Sequence, residues 1–340
     1  MKGMKYMRIL VALSAAVALT ASCAIRLDKK RILKKVSEYS GRTLIGSGVY
    51  VSKDTVVAPF TSLVVSPGYS DMELIQDTCT YVSVYGCDNI IPFVSITSED
   101  GSLTVGCDFS FHNIHNDEKG NANVKVTVHT PSIDSIRVEN VGGFVCKNLD
   151  LAGRPLSIVV NGRADLDLGN VESSALSVEC NGESSVKFGS VRIAGNSEIV
   201  IAGRSDVDFG KMWASSLDVD CSGSASLSSD YVTAGRICLT MTGSSESEME
   251  QVNVENLNVD VSGRGNAELD NMVSSEVNVT VSGSGSVSLD GRAVKAEYSV
   301  SGSGEIDAED LDCGNTAPTV SGRGVIRYRD ADGQVVKKRQ

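Results

Sequence analysis

The sequence predicts an all-β protein, a parallel β-helix (a solenoid of coils about 20 residues long) with a β-rich N-terminal part that caps it. Three observations carry this. One glycine returns at Gly162, Gly182, Gly203, Gly223, Gly243, Gly263, Gly283, Gly302 and Gly322, at intervals of 20, 21, 20, 20, 20, 20, 19 and 20. Around each glycine apolar and polar residues alternate: Leu156, Ile158 and Val160 lead into the first, Leu166 and Leu168 leave it, and Val277, Val279, Val281, Val287 and Leu289 repeat the pattern at the seventh. A period of two is extended chain with one buried face, which excludes a helical unit. The next inward position is always small, running Ala164, Ser184, Ser205, Ala225, Ser245, Gly265, Gly285, Gly304, Gly324. A propeller blade needs about 40 to 45 residues, twice this period.

By parity the repeating glycine falls in the inward phase, where it bends the strand through positive φ or lets backbone pass close to the next coil. Equivalent positions then form columns down the axis. Two before the glycine the column reads Val160, Cys180, Ile201, Cys221, Met241, Val261, Val281, Val300, Val320, all of medium size and apolar.

In chain order, residues 1–22 read as a secretory signal: Lys2, Lys5 and Arg8, an apolar run from Ile9 to Leu19, and small residues Thr20-Ala21-Ser22 before Cys23. Leu19-Thr20-Ala21-Ser22-Cys23 resembles a bacterial lipobox, whose cysteine is lipidated, with the leucine one place further out than usual. An ordinary signal peptide with an incidental cysteine is the alternative. Residues 23–43 form a basic tether, with Arg26, Lys29, Lys30, Arg31, Lys34 and Lys35, suited to anionic head groups or to a solvated spacer.

Residues 44–135 are the β-rich N-terminal part, without the 20-residue repeat. Val82 and Val84, Val94 and Ile96, Leu103 and Val105, and Val124, Val126 and Val128 mark strands, separated by turns at Cys87-Asp88-Asn89 and Glu99-Asp100-Gly101. This part is expected to cover the open first coil, because an end coil otherwise exposes unpaired strand edge. Residues 136–328 hold the β-helix repeats. The basic tail, residues 329–340, is expected to cover the last coil through Tyr328, Val335 and Val336.

The succession Gly46-Ser47-Gly48, Phe60-Thr61-Ser62-Leu63-Val64-Val65, Asp88-Asn89-Ile90-Ile91-Pro92-Phe93-Val94, Asp100-Gly101-Ser102-Leu103-Thr104-Val105, Val126-Thr127-Val128-His129-Thr130-Pro131 and then repeated Ser-Gly-Ser-Gly resembles the "putative autotransporter adhesin head GIN domain" family over residues 44–328. The resemblance implies a right-handed β-helix in a Gram-negative envelope lipoprotein, with no catalytic residue assigned. The early coils depart from it: Asn161-Gly162-Arg163-Ala164 and Asn181-Gly182-Glu183-Ser184 replace Ser-Gly-Ser-Gly and should be more conventionally packed.

The function expected is a non-catalytic, lipid-anchored cell-envelope protein, an adhesin or structural rod. It is held to the membrane, most naturally the outer one, through Cys23, and has an envelope protein or a glycan as partner. A net charge of −12 gives duplex phosphate no electrostatic footprint beyond the tether, so nucleic acid is not expected. No cofactor is expected.

The alternative is a polysaccharide lyase or hydrolase. Five residues after each glycine the outward ladder reads Asp167, Lys187, Asp208, Ser228, Glu248, Glu268, Ser288, Asp307, Arg327, with Asp165 and Asp206 two residues earlier on their strands. Asp165, Asp167, Asp206 and Asp208 beside Lys187 would then hold Ca²⁺ and abstract a proton, given a concave, partly buried cluster. Alternating charge in successive coils is equally how a solvated face avoids stacking like charges.

Other candidates are weaker. Cys180 and Cys221 are inward but two coils apart, about 9.6 Å, too far to bridge. Cys79 and Cys87 would pair only if a turn folded them together. Cys238 should point outward. His112-Asn113-Ile114-His115 with Asp117 is the sole paired-histidine pattern and reads as a loop rather than a metal site. Phe188, Phe209, Tyr298 and Tyr328 fall in the inward phase; Trp213 is the one aromatic open to surface contact, unless it packs on a neighbouring coil.

Overall fold

The computed structural model describes residues 44–66, 71–107, 114–115 and 124–340, and no α-helix occurs among them. The described residues up to Ile133 and those from Asp134 to Gln340 form two compact units.

In the first unit, Tyr50–Val56 lies antiparallel to Tyr81–Cys87, which lies antiparallel to Lys125–Thr130, itself parallel to Asp71–Gln76. A second group sets Val94–Glu99 antiparallel to Ser102–Cys107 and the latter parallel to Ser62–Val65. The alternation sorts the faces as expected, since Val82, Val84, Leu103, Val105, Val126 and Val128 are all buried. Asp100 and Gly101 adopt φ 49° and 74°, the two left-handed residues that match a tight hairpin to strand twist. Cys79 and Cys87 are both free thiols. They flank one strand that pairs along its whole length with Tyr50–Val56, so no turn brings them together.

The second unit is a solenoid whose coils pair parallel, each on the one before. Its register repeats the glycine intervals: Gly162 pairs with Gly182, Gly182 with Gly203, Gly203 with Gly223, Gly243 with Gly263 and Gly302 with Gly322. Val259, Val279 and Tyr298 stack in register, and the apolar column from Val160 to Val300 is fully buried. Each coil has three faces. In the Gly182 coil, Leu176, Val178 and Cys180 point in from the first, Ser184, Val186 and Phe188 from the second, and Val191 and Ile193 from the third.

The glycine itself departs from the parity argument. It lies at the surface of the first corner, and the chain regains the interior only at the small residue two places on, such as buried Ala164, Ser184 or Ala225. Eight of the nine glycines have φ between 79° and 132°, a conformation that side chains with a Cβ rarely adopt. At Gly203 an added Cβ would also stand 2.6 Å from the carbonyl oxygen of Gly182, so stacked corners leave no room for one.

One coil precedes the first glycine. Ser135–Glu139, Phe144–Val145 and Asn148–Asp150 pair with the strands 22 residues later. Asn140 takes the corner of this coil with φ 50°, and its side-chain oxygen accepts the backbone N–H of Arg163 at 3.1 Å. Asparagine tolerates this conformation better than other residues, so the corner persists without glycine.

At the other end, Val335–Lys338 turns back antiparallel on Val325–Arg329. Beyond that hairpin, Lys338 donates to the carbonyl of Pro318 at 2.5 Å and Gly322 N–H donates to Gln340 at 3.0 Å. Tail groups thus occupy part of the terminal strand edge.

Candidate functional site

The outward ladders stand where the repeat places them. Asp167 pairs with Lys187 and Lys187 with Asp208; Asp165 pairs with Ser185 and Ser185 with Asp206. Asp165, Asp167, Lys187 and Asp206 are exposed and Asp208 half-buried. Lys187 forms no ion pair among the described residues, although Asp167 and Asp208 flank it in register. Asp165, Asp167 and Lys187 line an open hollow of about 350 Å³ with Phe144, Leu166 and Ser185. The enclosed carboxylate cluster that proton abstraction requires is not formed at these five positions. No group of histidine, cysteine and acidic side chains among the described residues is arranged to hold a metal ion.

Charge on this part of the surface is satisfied in ladders. Glu183 accepts from Arg163 at 2.8 Å and from Arg204 at 3.1 Å, one coil to either side. The hydrogen bond from Arg163, followed by the charge of the two guanidiniums, holds the Glu183 carboxyl below the usual carboxylate range. Near the C-terminus Arg327 meets Glu305, Asp307 and Glu309. Such exposed pairs contribute little to stability but keep stacked like charges apart.

Cys180 and Cys221 are buried core thiols separated by Ile201, and burial pushes both up to about 12. They act as small hydrophobes and are not available as nucleophiles. Cys238 is half-exposed and free. Cys23, with the signal and tether, and His112 lie outside the described residues; of His115 only the backbone, in a short strand with Ile114, is described.

Phe188 and Phe209 stack inside the solenoid with ring centres 4.9 Å apart, and Tyr298 is buried as its phase requires. Trp213 packs on its neighbours. The Arg192 guanidinium, one coil earlier, sits 4.1 Å from the centre of the indole, and Tyr231, on the next coil, packs 5.6 Å away at a tilt. On the third face and the corner before it, Tyr231, Gln251, Val252, Asn253, Asn271 and Val273 line a second open hollow, of about 430 Å³. Reading only the ladders after the repeating glycine misses it. The signal was present in the spacing: Tyr231, Gln251 and Asn271 are 20 apart, as are Asn253 and Val273.

These features define a β-solenoid whose polar side chains are displayed on open strand faces. The chain belongs to the family described as "Putative auto-transporter adhesin, head GIN domain", whose model matches residues 59–234, 177–287 and 231–333. The crystal structure of a putative adhesin from Parabacteroides merdae is similar with a TM-score of 0.52 at 16% identity, over 82% of this chain and 99% of that one. A putative adhesin from Parabacteroides distasonis aligns at 18% identity and TM-score 0.47, over 81% of this chain and 99% of that one. A structure from the same species described as a putative lipid binding protein aligns at 14% identity and TM-score 0.43, over 83% of this chain and 98% of that one. No curated protein matches. At these identities the P. merdae likeness establishes the fold alone. The adhesin family indicates an envelope or surface protein.

Proposed function

We propose that this protein is a non-catalytic, lipid-anchored envelope protein whose solenoid displays its outer faces to a binding partner. The observation that carries the reading is that its chemically capable side chains lie in open ladders on the strand faces rather than converging in a cleft. Family membership supports a role in adhesion. The anchor rests on Leu19-Thr20-Ala21-Ser22-Cys23, with the basic tether favouring an anionic membrane surface.

Two measurements test it. In cells given a clickable fatty acid, the wild-type chain should take up label and Cys23→Ala should not; equal labelling removes the anchor. Cells displaying the chain should attach to a glycan- or envelope-coated surface more than cells lacking it, without release of soluble product. Accumulation of unsaturated oligosaccharide from an acidic polysaccharide, abolished by Lys187→Ala, would replace this reading with the lyase.

A further inference from the structure

We infer that the hollow bounded by Tyr231, Gln251, Asn253, Asn271 and Val273 is the binding site for a neutral sugar residue of a glycan chain. The inference rests on the adhesive role proposed above and gives it a location and a ligand class.

The wall is built for a ring. Arg192 covers one side of Trp213 and Trp213 packs against Tyr231, so three planar groups on successive coils brace one another and the last faces the hollow. Tyr231 lines the hollow, and an aromatic ring there is a surface on which the C–H side of a pyranose can pack. Val273, at 56% exposure, adds apolar surface to the lining. Such an exposed valine beside an aromatic wall covers the apolar face of a sugar and leaves its hydroxyls to the rim.

The rim is made of carboxamides. The side-chain carboxamides of Gln251 and Asn253, both at exposed positions, form no hydrogen bond among the described residues. Asn271 donates to the backbone carbonyl of Glu250 at 3.1 Å, which leaves its own oxygen as an acceptor. A carboxamide presents donor and acceptor together, the complement of neighbouring hydroxyl groups. Asn271 also carries φ 47°, and the strand register shifts between Leu269 and Met272 beside it. Such irregularities re-aim side chains at sheet edges. Asn271 lines the same hollow as Gln251, beside this irregularity.

Electrostatics choose between sugar classes. None of the six lining residues is charged. The residues immediately before Tyr231, Gln251 and Asn271 are Asp230, Glu250 and Asp270, while Lys211 pairs in register with Tyr231 and Arg292 with Val273, so charges of both signs surround an uncharged lining. With no charged side chain in the lining and flanking charges of both signs, the hollow offers a sugar carboxylate no dedicated partner, and its carboxamides match a neutral residue. An open hollow of this size takes one residue of a longer chain rather than enclosing a free sugar.

The test uses the purified full-length chain in detergent, first on an array of neutral gluco-, manno- and galacto-oligosaccharides beside sialylated and uronate oligosaccharides, then by titration calorimetry with the best neutral probe. Tyr231→Ala should weaken binding about tenfold and Tyr231→Phe by less than about twofold, since the ring face is what matters. Asn253→Ala and Gln251→Ala, both at exposed positions, should each weaken it about fivefold. Asp167→Asn, in the other hollow, should leave it unchanged. Unaltered melting curves show that the variants fold. Neutral-sugar binding that survives Tyr231→Ala and Asn253→Ala, preference for acidic oligosaccharides, or binding of a peptide coat alone overturns the site. If cells displaying the chain still attach in those cases, the adhesive reading survives without this site; if they do not attach, both fall.

Discussion

The early and late coils of the solenoid share a register but differ in their first corner. From Gly162 to Gly243 the residue that re-enters the core is alanine or serine, and Ser184 and Ser205 hydrogen-bond to each other at 3.0 Å inside it. From Gly263 onward that residue is glycine. An added Cβ at Gly285 would stand 2.6 Å both from the Gly265 carbonyl oxygen and from a methyl of Val261. The late corners are therefore closed against the backbone of the coil before, while the early ones keep space for one small side chain. Coils of one length can stack with either corner, so the period is fixed by the strand ladder and the corner's tightness is a separate variable.

Substitutions can break this comparison. The largest loss should come where both halves agree: Gly203→Ala combines φ 83° with a backbone clash and should cost about 3 kcal/mol, read as a fall in melting temperature of about 10 °C. Gly285→Ala should cost about 2 kcal/mol from overpacking alone, whereas Ser184→Ala in the equivalent early corner should cost about 1 kcal/mol from the lost hydrogen bond. Equal costs for those two would abolish the distinction.

A smaller effect follows from the neighbouring column, where early coils hold Cys180 and Cys221 and late coils hold Val261, Val281 and Val300. Burial raises both thiols from 9.0 to about 12, so the folded chain keeps protons that the unfolded chain gives up. Their contribution is complete below about pH 9 and is lost as pH rises toward about 12, so stability should decline across that window. Cys180→Val with Cys221→Val should flatten the decline, measured by urea titration at pH 8, 9 and 10, and leave the part due to Cys313 and, at the highest pH, Tyr298, both of which burial also holds above their ordinary range. The smallest effect should be Glu183→Gln. Its ion pairs are exposed, and its depressed carboxyl contributes only above its ordinary range and less as pH falls, so the melting temperature in physiological salt should not move measurably.

Much of the solenoid was legible because its period is set by backbone pairing, which repeats whatever the side chains are. Val160, Cys180 and Ile201 reveal their column through spacing alone. Four things were not legible. Alternation counts residues along a flat strand, and a residue at positive φ breaks that count, which is why the repeating glycines prove to be exposed. The corner of the coil before Gly162 was not picked out because Asn140 stands there in place of the repeating glycine. The Tyr231 hollow escaped for a different reason: its residues come from three successive coils on the third face, so no contiguous motif marks it. Asp165, Asp167 and Lys187 were readable as neighbours, but their exposure depends on face curvature, which spacing does not encode.

The returning C-terminal strand has a consequence for assembly. A chain ending at Arg329 would leave its last lap with bare amides and carbonyls at the same spacing as the laps beneath it, the geometry on which cross-β fibrils grow. Residues 330–340, with Lys337, Lys338 and Arg339, cover part of that edge and set positive charge beside it.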